Sequence, residues 1–570
     1  MLHHSSTRWL PVFCLTLIAG SLCHYWYVMH THILDAAQGD DFVDILWFFE
    51  IFLSRDNWQE KIDALFLANH EHITLLNHLM YWLHYRVAGV VDFVQYNWLG
   101  HGFVLASCAV LARWLSEKTG KWIAAAIAVS CYLNLFYWES SFWPMTAISN
   151  QAVILFALLA AWSYQKHPQN ILAPLGWALA ATASQFNGLC VFLALLLAML
   201  FESWQTGTAI NRRQCLQVLV ALLVVSALYA ARENPLAVPA HLNRFILYTE
   251  PQQFADFHPP AITFPPPAEL ARHIAVRVPA SVLGTFGATV WTQQQLLPAV
   301  LTGVILLALL GYSWRRNGMI DRFSLLLFFF CVASLLLIAL GRSLFFGAEA
   351  CLLSRYRMYG FLMLLMAGHG FLQGGTRKPA IVLLLLCGVL TQCASREVLP
   401  AMEKNRDDVM MSYYYWLIDG GMGRERMVFY PHNRDVRLLH AYERGYYNPL
   451  DAIDPQYKPV SIATMAATAC PADSVMPASA HVKPWSKKPA AIAVELTVTD
   501  VPVPADKQAE LWFCNDTAAY RIVLSASQFN SNTAGYWPQL ILKKQLPPAQ
   551  YRSYFHAAGQ WQPLGAVSFR

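Results

Sequence analysis

The chain has 570 residues, of which 56% are hydrophobic and 13% charged, and its mean hydropathy is +0.35. That leaves too little polar surface for one water-soluble domain, and the many apolar runs of spanning length make it a polytopic α-helical membrane protein. The net charge of +5 is small, and the Lys and Arg residues sit in short loops between apolar runs, so the expected surroundings are membrane lipids and no nucleic acid.

In chain order, eleven spans are expected at about 9–29, 97–114, 122–138, 148–164, 171–184, 187–202, 214–231, 296–313, 321–340, 357–373 and 379–396. The first could be read as a signal peptide, but Leu22 rather than a small residue precedes Cys23 and no A-x-A site follows, so it is kept as a permanent helix. Between 171 and 202 the stretch "ATASQFNG" interrupts the apolar run, and a hairpin of two short helices is expected there. Charge supports the hairpin. With the N-terminus in the cytoplasm, the loops carrying Arg113, Lys118 and Lys121, then Lys166, then Arg212 and Arg213, then Arg315, Arg316 and Arg322, then Arg377 and Lys378 all fall on one side. A single long helix there would scatter them over both faces.

This layout makes residues 1–396 a transmembrane domain with outer loops 30–96, 139–147 and 232–295, and 397–570 a soluble α+β domain on the same outer face. The first loop holds "DILWFFEIFL" and "NHEHITLLNHLMYWLHYRVAGVVDFV", apolar at helical spacing, which suits helices lying along the membrane surface. The third is proline-rich and long enough to be an ordered lid or re-entrant piece. In the tail, "AAIAVELTVTDVPV", "AELWFCN", "YRIVLSAS" and "YWPQLILKKQL" alternate as strands do. Ten of the twelve cysteines lie in or beside spans, which leaves Cys470 and Cys514 as a candidate disulfide.

The candidate chemistry gathers on the outer face. Asp40 and Asp41 follow the first span by about ten residues, and Glu139 ends the third. Paired acids there can deprotonate an acceptor hydroxyl or hold a divalent cation beside a phosphate leaving group. The structural alternative is that "GDD" caps the next helix, and it is the stronger reading for Asp44. Arg342, Arg355 and Tyr356 flank a short outer loop where the positive-inside bias disfavours Arg without a partner; the choice lies between phosphate binding and snorkelling anchors. His70, His72, His78 and His84 with Glu71 resemble a metal cluster, but their spacing does not put three on one helical face, so Glu71 and His72 are kept as substrate-binding candidates and no metal ligand is assigned.

A first span followed by a long outer loop that opens on "GDDFVD", surface helices bearing "NHEHITLLNHL", a second outer loop with an acid and a C-terminal outer domain resemble the C-type (GT-C) integral membrane glycosyltransferases. "SQFNGLCVFLALLL" and "GRSLFFGAEACLLSRYRMYGFLMLL" resemble a bacterial subgroup of that superfamily, and the likeness covers about residues 9 to 396 as a layout. It implies transfer of a sugar from a polyprenyl-phosphate donor to a glycan, lipid or protein acceptor at the periplasmic face of a bacterial inner membrane. By position, Asp40 or Asp41 would be the base, Glu139 its support, and Arg342 and Arg355 the grip on lipid phosphate. No D-x-E stands in the second outer loop, which argues against a required divalent cation, the one cofactor the resemblance raises. Two rivals are an O-antigen polymerase or ligase, drawing on Arg244, His258, Arg272 and His273 of the third loop, and a transporter or flippase of lipid-linked sugars, against which stand the lack of an internal repeat and the few charges inside spans.

Overall fold

The computed structural model describes residues 6–69, 72–209, 211–233, 266–289, 295–318, 320–373, 376–419 and 434–449, together with eight strands beyond residue 462. The chain is a multi-pass helical membrane protein: among the described residues eight helices are long and apolar enough to cross a bilayer, namely Trp9–His32, Phe93–Leu115, Pro144–Lys166, Phe186–Thr206, Arg212–Ala230, Leu296–Asn317, Arg322–Ser343 and Arg377–Met410. Lys121–Tyr132 and Leu172–Ser184 are shorter apolar helices. Two compact units divide the chain, Met1–Lys404 and Asn405–Arg570, and each is described by itself.

In the first unit the helices run α1 (Ser6–His32), a π-helix (Phe42–Trp47) continued by α2 (Phe48–Leu53), α3 (Trp58–Leu65), α4 (Leu75–Ala88), α5 (Phe93–Leu115), α6 (Lys121–Tyr132), the single turn α7 (Glu139–Phe142), α8 (Pro144–Lys166), α9 (Leu172–Ser184), α10 (Leu189–Thr206) and α11 (Arg212–Glu233). Long helices Leu296–Asn317, Arg322–Phe346, Met358–Leu372 and Arg377–Ala394 complete the bundle. One apolar core joins them, with Trp114, Tyr132, Phe136, Tyr137, Phe192, Phe323 and Phe361 fully shielded. α8 lies at its centre, buried over most of its length, whereas α11 is mostly exposed to what surrounds the bundle. Close approach of α5 and α8 depends on a missing side chain: a Cβ on Gly100 would come within 2.6 Å of Ala147.

The basic loops meet at one end of the bundle. Lys166 pairs with Glu117, Gln165 Nε2 donates to the same carboxylate at 3.0 Å, and Gln214 Nε2 donates to the Pro168 and Gln169 carbonyls at 3.1 and 3.0 Å. Gln205 Nε2 reaches the Gly318 carbonyl at 3.1 Å, Arg316 reaches Thr376 at 3.3 Å, and Gln373 reaches Asp321 at 3.3 Å. Since the loop after α8 and the loop after α10 share this end, the chain between them must run away and return. It reverses at Gln185–Gly188, where Gln185 is extended and a short 3-10 turn precedes α10. At that far end the Tyr229 hydroxyl donates to the carbonyls of Thr182 (2.8 Å) and Ile73 (3.1 Å), tying the end of α9 to the segment before α4. With 13 residues α9 is about 20 Å long, less than a bilayer's hydrocarbon thickness of about 30 Å.

In the second unit, antiparallel strands β3 (Ala463–Ala466), β6 (Ala509–Cys514), β7 (Ala518–Leu524), β9 (Ala549–Ala557) and β10 (Gln560–Phe569) form one sheet in the order β10-β9-β6-β7-β3. β4 (His481–Trp485), β5 (Ala491–Thr497) and β8 (Gln539–Leu542) form a second, in the order β4-β5-β8. The four strands read from alternation correspond to β5, β6, β7 and β8; β3 and β4 are too short to show a period, and in the β9–β10 hairpin, with Trp561 opposite His556, polar residues blur it. Cys514 is disulfide-bonded, and its expected partner Cys470 lies outside the described residues.

Candidate functional site

Away from the basic loops, three chain segments converge: the turn Gln38–Asp41 after α1, the α7–α8 corner, and the turn Ser354–Tyr356. Asp41 stitches the first to the second. Its Oδ2 accepts from the Gln38 amide and its Oδ1 from the Met145 amide, each at 2.9 Å, while Gln38 Nε2 donates to the Phe142 carbonyl at 3.1 Å. Gly39 lets the turn close on Trp143: its φ is +47°, and an added Cβ would sit 2.3 Å from Trp143 Cζ2. α7 is then stitched to the third segment. The Glu139 amide donates to Ser354 Oγ at 3.2 Å, the Arg355 amide to Glu139 Oε2 at 3.3 Å, and Ser140 Oγ to the Arg355 carbonyl at 3.2 Å.

These bonds bring Asp40, Asp41, Glu139, Arg355 and Tyr356 into one neighbourhood. The Arg355 guanidinium lies over the rings of Tyr356 (5.4 Å) and Trp143 (5.8 Å). Burial works against its charge, but Tyr356, Glu139 and Asp40 outweigh that and raise its proton affinity above that of a free arginine. Two donors here, Arg355 Nε and Trp143 Nε1, are buried without a hydrogen-bond partner. Arg357, two residues on, is almost fully buried, with its guanidinium 5.9 Å from the Phe136 ring centre.

The two neighbouring aspartates differ in access. Asp40 is half-buried, whereas Asp41 is fully enclosed and both its oxygens are engaged. Burial pushes the Asp41 carboxyl well above the usual carboxylate range against the pull of its two amide donors, and the charges of Asp44 and Asp40 push the same way. The backbone starts a π-helix directly after it, a rare geometry that recurs at functional sites.

Asp44, inside that π-helix, does not cap a helix. It is fully buried and surrounded by side chains from the start of α4: Thr74 Oγ1 donates at 2.5 Å, Tyr81 OH at 2.9 Å and Asn77 Nδ2 at 3.4 Å, with His78 Nε2 at 3.6 Å. Burial raises its carboxyl, but His78, Thr74 and Tyr81 more than offset that and hold it below the usual range. His78 is fixed in turn by the Leu65 carbonyl at 2.8 Å and by stacking on Phe48 at 4.4 Å. It is therefore committed to a carboxylate and a carbonyl. His84 bonds Gln95 at 2.7 Å, and no group of three or more metal-binding side chains occurs among the described residues.

The remaining candidates are placed apart. Arg342 ends the helix Arg322–Phe346, partly exposed; among the described residues no hydrogen bond or ion pair joins it to Glu139 or Arg355. His72 pairs through its backbone with Asn69 in the two-residue ribbon of β1 (Ala68–Asn69) and β2 (His72–Ile73), while Glu71 and His70 lie outside the described residues. Of the third-loop residues, Arg244 and His258 also lie outside them, Arg272 is exposed and His273 is buried against Ser343 at 3.4 Å. The sequence reading did not single out Gly39, Ser140, Trp143 or Ser354. The Asp44 cage, however, carries a readable signal, since Thr74, Asn77, His78 and Tyr81 recur at helical spacing. No family model, curated protein or solved structure matches the chain.

Proposed function

We propose that the chain is a GT-C-like membrane glycosyltransferase that moves a sugar from a polyprenyl-phosphate donor to a surface glycan, lipid or protein acceptor, working at the periplasmic face of a bacterial inner membrane. The observation that carries this reading is the meeting of a half-buried carboxylate, Asp40, with Glu139 and with the Arg355 guanidinium, at the bundle end opposite the basic loops.

The chemistry follows from the charges. Asp40 takes the proton of the acceptor hydroxyl as its oxygen forms a bond to the anomeric carbon. The bond from that carbon to phosphate oxygen breaks with its electron pair, leaving polyprenyl phosphate, and the sugar is inverted. Arg355 neutralises the charge that grows on the departing phosphate, for which its free Nε is an available donor. Glu139 holds the Arg355 turn through its amide, and Asp41, with both oxygens occupied, positions the Gln38–Asp41 turn rather than abstracting a proton. A base of this kind contributes about 10²- to 10⁴-fold to rate.

The test is mass spectrometry of surface glycans and glycoproteins from cells carrying the wild-type gene, a deletion or Asp40→Asn, at matched membrane levels. Loss of one defined sugar in both mutants supports transfer and identifies the sugar. A profile changed by the deletion but untouched by Asp40→Asn points to transport or assembly.

A further inference from the structure

Trp143 stands at the corner between α7 and α8 with its carbonyl and its ring both fixed. The carbonyl accepts from the Ala147 amide at 2.7 Å and from Thr146 Oγ1 at 2.9 Å, and Pro144 follows as the first residue of α8. A Cβ on Gly39 would come within 2.3 Å of the ring at Cζ2 and 3.0 Å at Cε2, the carbon that carries Nε1, so the indole edge next to its nitrogen lies against the turn that bears Asp40. What is left over is the N–H. Trp143 Nε1 is the one indole nitrogen among the described residues that is buried without an acceptor; Trp114 Nε1 donates to Asp321 at 3.4 Å and Trp177 Nε1 to Ser163 Oγ at 3.1 Å.

A phenylalanine at this corner would also offer an aromatic face to Arg355, with no polar atom to satisfy. Tryptophan adds a donor, and a donor shut away from water costs stability unless something accepts from it. The neighbouring cation is in the same position. The Arg355 guanidinium lies 5.8 Å from the Trp143 ring centre, and its Nε is also buried without an acceptor. Its backbone is held by Glu139 Oε2, which takes its amide at 3.3 Å, and by Ser140 Oγ, which donates to its carbonyl at 3.2 Å. Two unfilled N–H donors, one of them on a cation, are therefore presented by two segments whose backbones are tied together. Such a pair suits an anion that has more than one oxygen to offer, as a phosphate does.

We propose that the Trp143 indole N–H is a second donor to the phosphate of the lipid-linked substrate, acting beside Arg355 Nε; this rests on the function proposed above. Arg355 takes one phosphate oxygen and Trp143 another, so the group is held from the α7–α8 corner and from the Ser354–Tyr356 turn at once, and cannot swing about a single contact. Because the indole is itself set against Gly39, the place of the phosphate is tied to the turn that carries Asp40, which fixes the distance between base and leaving group.

The experiment measures binding of radiolabelled undecaprenyl phosphate to the full chain in dodecyl maltoside, for the wild type, Trp143→Phe and Trp143→3-benzothienylalanine. The last keeps the bicyclic ring and removes only the N–H, so the test stands even where Trp143→Phe fails to fold. Undecaprenol, which lacks the phosphate, and inorganic phosphate are added as competitors. The expected result is a loss of affinity of about tenfold or more in both variants, at wild-type melting temperature for the benzothienyl one, with neither competitor matching the lipid phosphate. Equal affinity in all three proteins would overturn the role of Trp143 while leaving the function proposed above in place. A loss confined to Trp143→Phe would trace the effect to ring packing and overturn it as well. Inorganic phosphate competing as well as the lipid would make the ligand a free anion and overturn the assignment to a lipid. A wild-type chain that does not bind undecaprenyl phosphate would remove the proposed function, and this inference with it.

Discussion

The two ends of the bundle differ in how far their acidic residues are shut off from solvent. At the basic end every acid described has a cation or a hydrogen-bond donor from a neighbouring helix. Glu202 accepts Arg322 Nε at 2.8 and 2.9 Å, takes its Nη2 as well, and receives the Tyr164 hydroxyl at 2.8 Å; Asp321 accepts Ser324 Oγ at 2.6 Å and faces His369 at 3.4 Å. These are latches between helix ends, largely satisfied and partly open to solvent. At the opposite end Asp41 is closed off by two backbone amides and Asp44 by Thr74, Asn77, Tyr81 and His78, all out of contact with solvent, while Arg355, the adjacent cation, keeps a donor unfilled. Each end keeps a buried ring or guanidinium nitrogen without a partner, His369 Nε2 at the basic end and Arg355 Nε at the other, but only the second belongs to a cation beside a half-buried carboxylate.

That contrast can be broken most directly at Asp40. Replacing it with Asn is expected to cut sugar transfer by about 10²-fold or more with membrane levels unchanged, measured as the glycan product per unit of protein. The matching change at the basic end, Glu202→Gln, should leave transfer at wild-type level. Equal losses from the two would erase the distinction between site and latch.

The next largest effect concerns Asp44. Asp44→Leu leaves Thr74, Asn77, His78 and Tyr81 facing an apolar group, and should cost about 3 kcal/mol or more of stability, read as a lowered melting temperature in detergent. Glu202→Gln breaks a partly exposed pair and should cost about 1 kcal/mol or less. A smaller loss at Asp44 than at Glu202 would show that the cage is not holding a charge.

Gly39→Ala falls between these in stability. A Cβ at a φ of +47° beside the Trp143 ring must move either the turn or the indole, at about 1–3 kcal/mol, and transfer should fall with it because the same turn carries Asp40. Thermal unfolding alongside the glycan assay reads both.

The smallest expected effect is one of pH. Because burial raises the Asp41 carboxyl, the folded chain holds a proton that the unfolded chain releases near pH 4. Asp41 therefore favours folding below that point, and its contribution is lost as pH rises from there toward the raised folded value. Asp44, lowered in the fold, acts in the other direction: its contribution is present above the unfolded value and lost as pH falls through the folded one. Asp41→Asn should flatten the decline of melting temperature from about pH 4 upward, and a slope unchanged in that variant would mean that Asp41 is not the group responsible.

Much of the architecture is legible in one dimension. The apolar run lengths mark the helices: each of the eleven intervals read as a span contains one, although among the described residues only eight helices are long and apolar enough to cross a bilayer, and the interval 122–138 overruns a helix that ends at Tyr132. The basic loops require a reversal inside 171–202, and the chain reverses at Gln185–Gly188. Alternation in the tail marks β5 to β8. At the candidate site the same reading singles out Asp40, Asp41, Glu139, Arg355 and Tyr356, which the fold assembles from three segments. It does not separate Arg342 from Arg355, since both are arginines at helix ends. Nor does it foresee that Asp44, which reads as a helix cap, is enclosed by α4.

The sequence by itself determined that this is a helical membrane protein, roughly where its apolar helices lie, and which of its basic loops meet at one end, because hydrophobic run length and loop charge are local properties that the bilayer reads directly. Only the tertiary structure decided which aspartate stays half-buried, which is sealed by the Gln38 and Met145 amides, and which is caged by Thr74, Asn77, His78 and Tyr81. Three acids within five residues have nearly the same local signal, and what distinguishes them is the donors that distant segments bring to each carboxylate and the water they exclude.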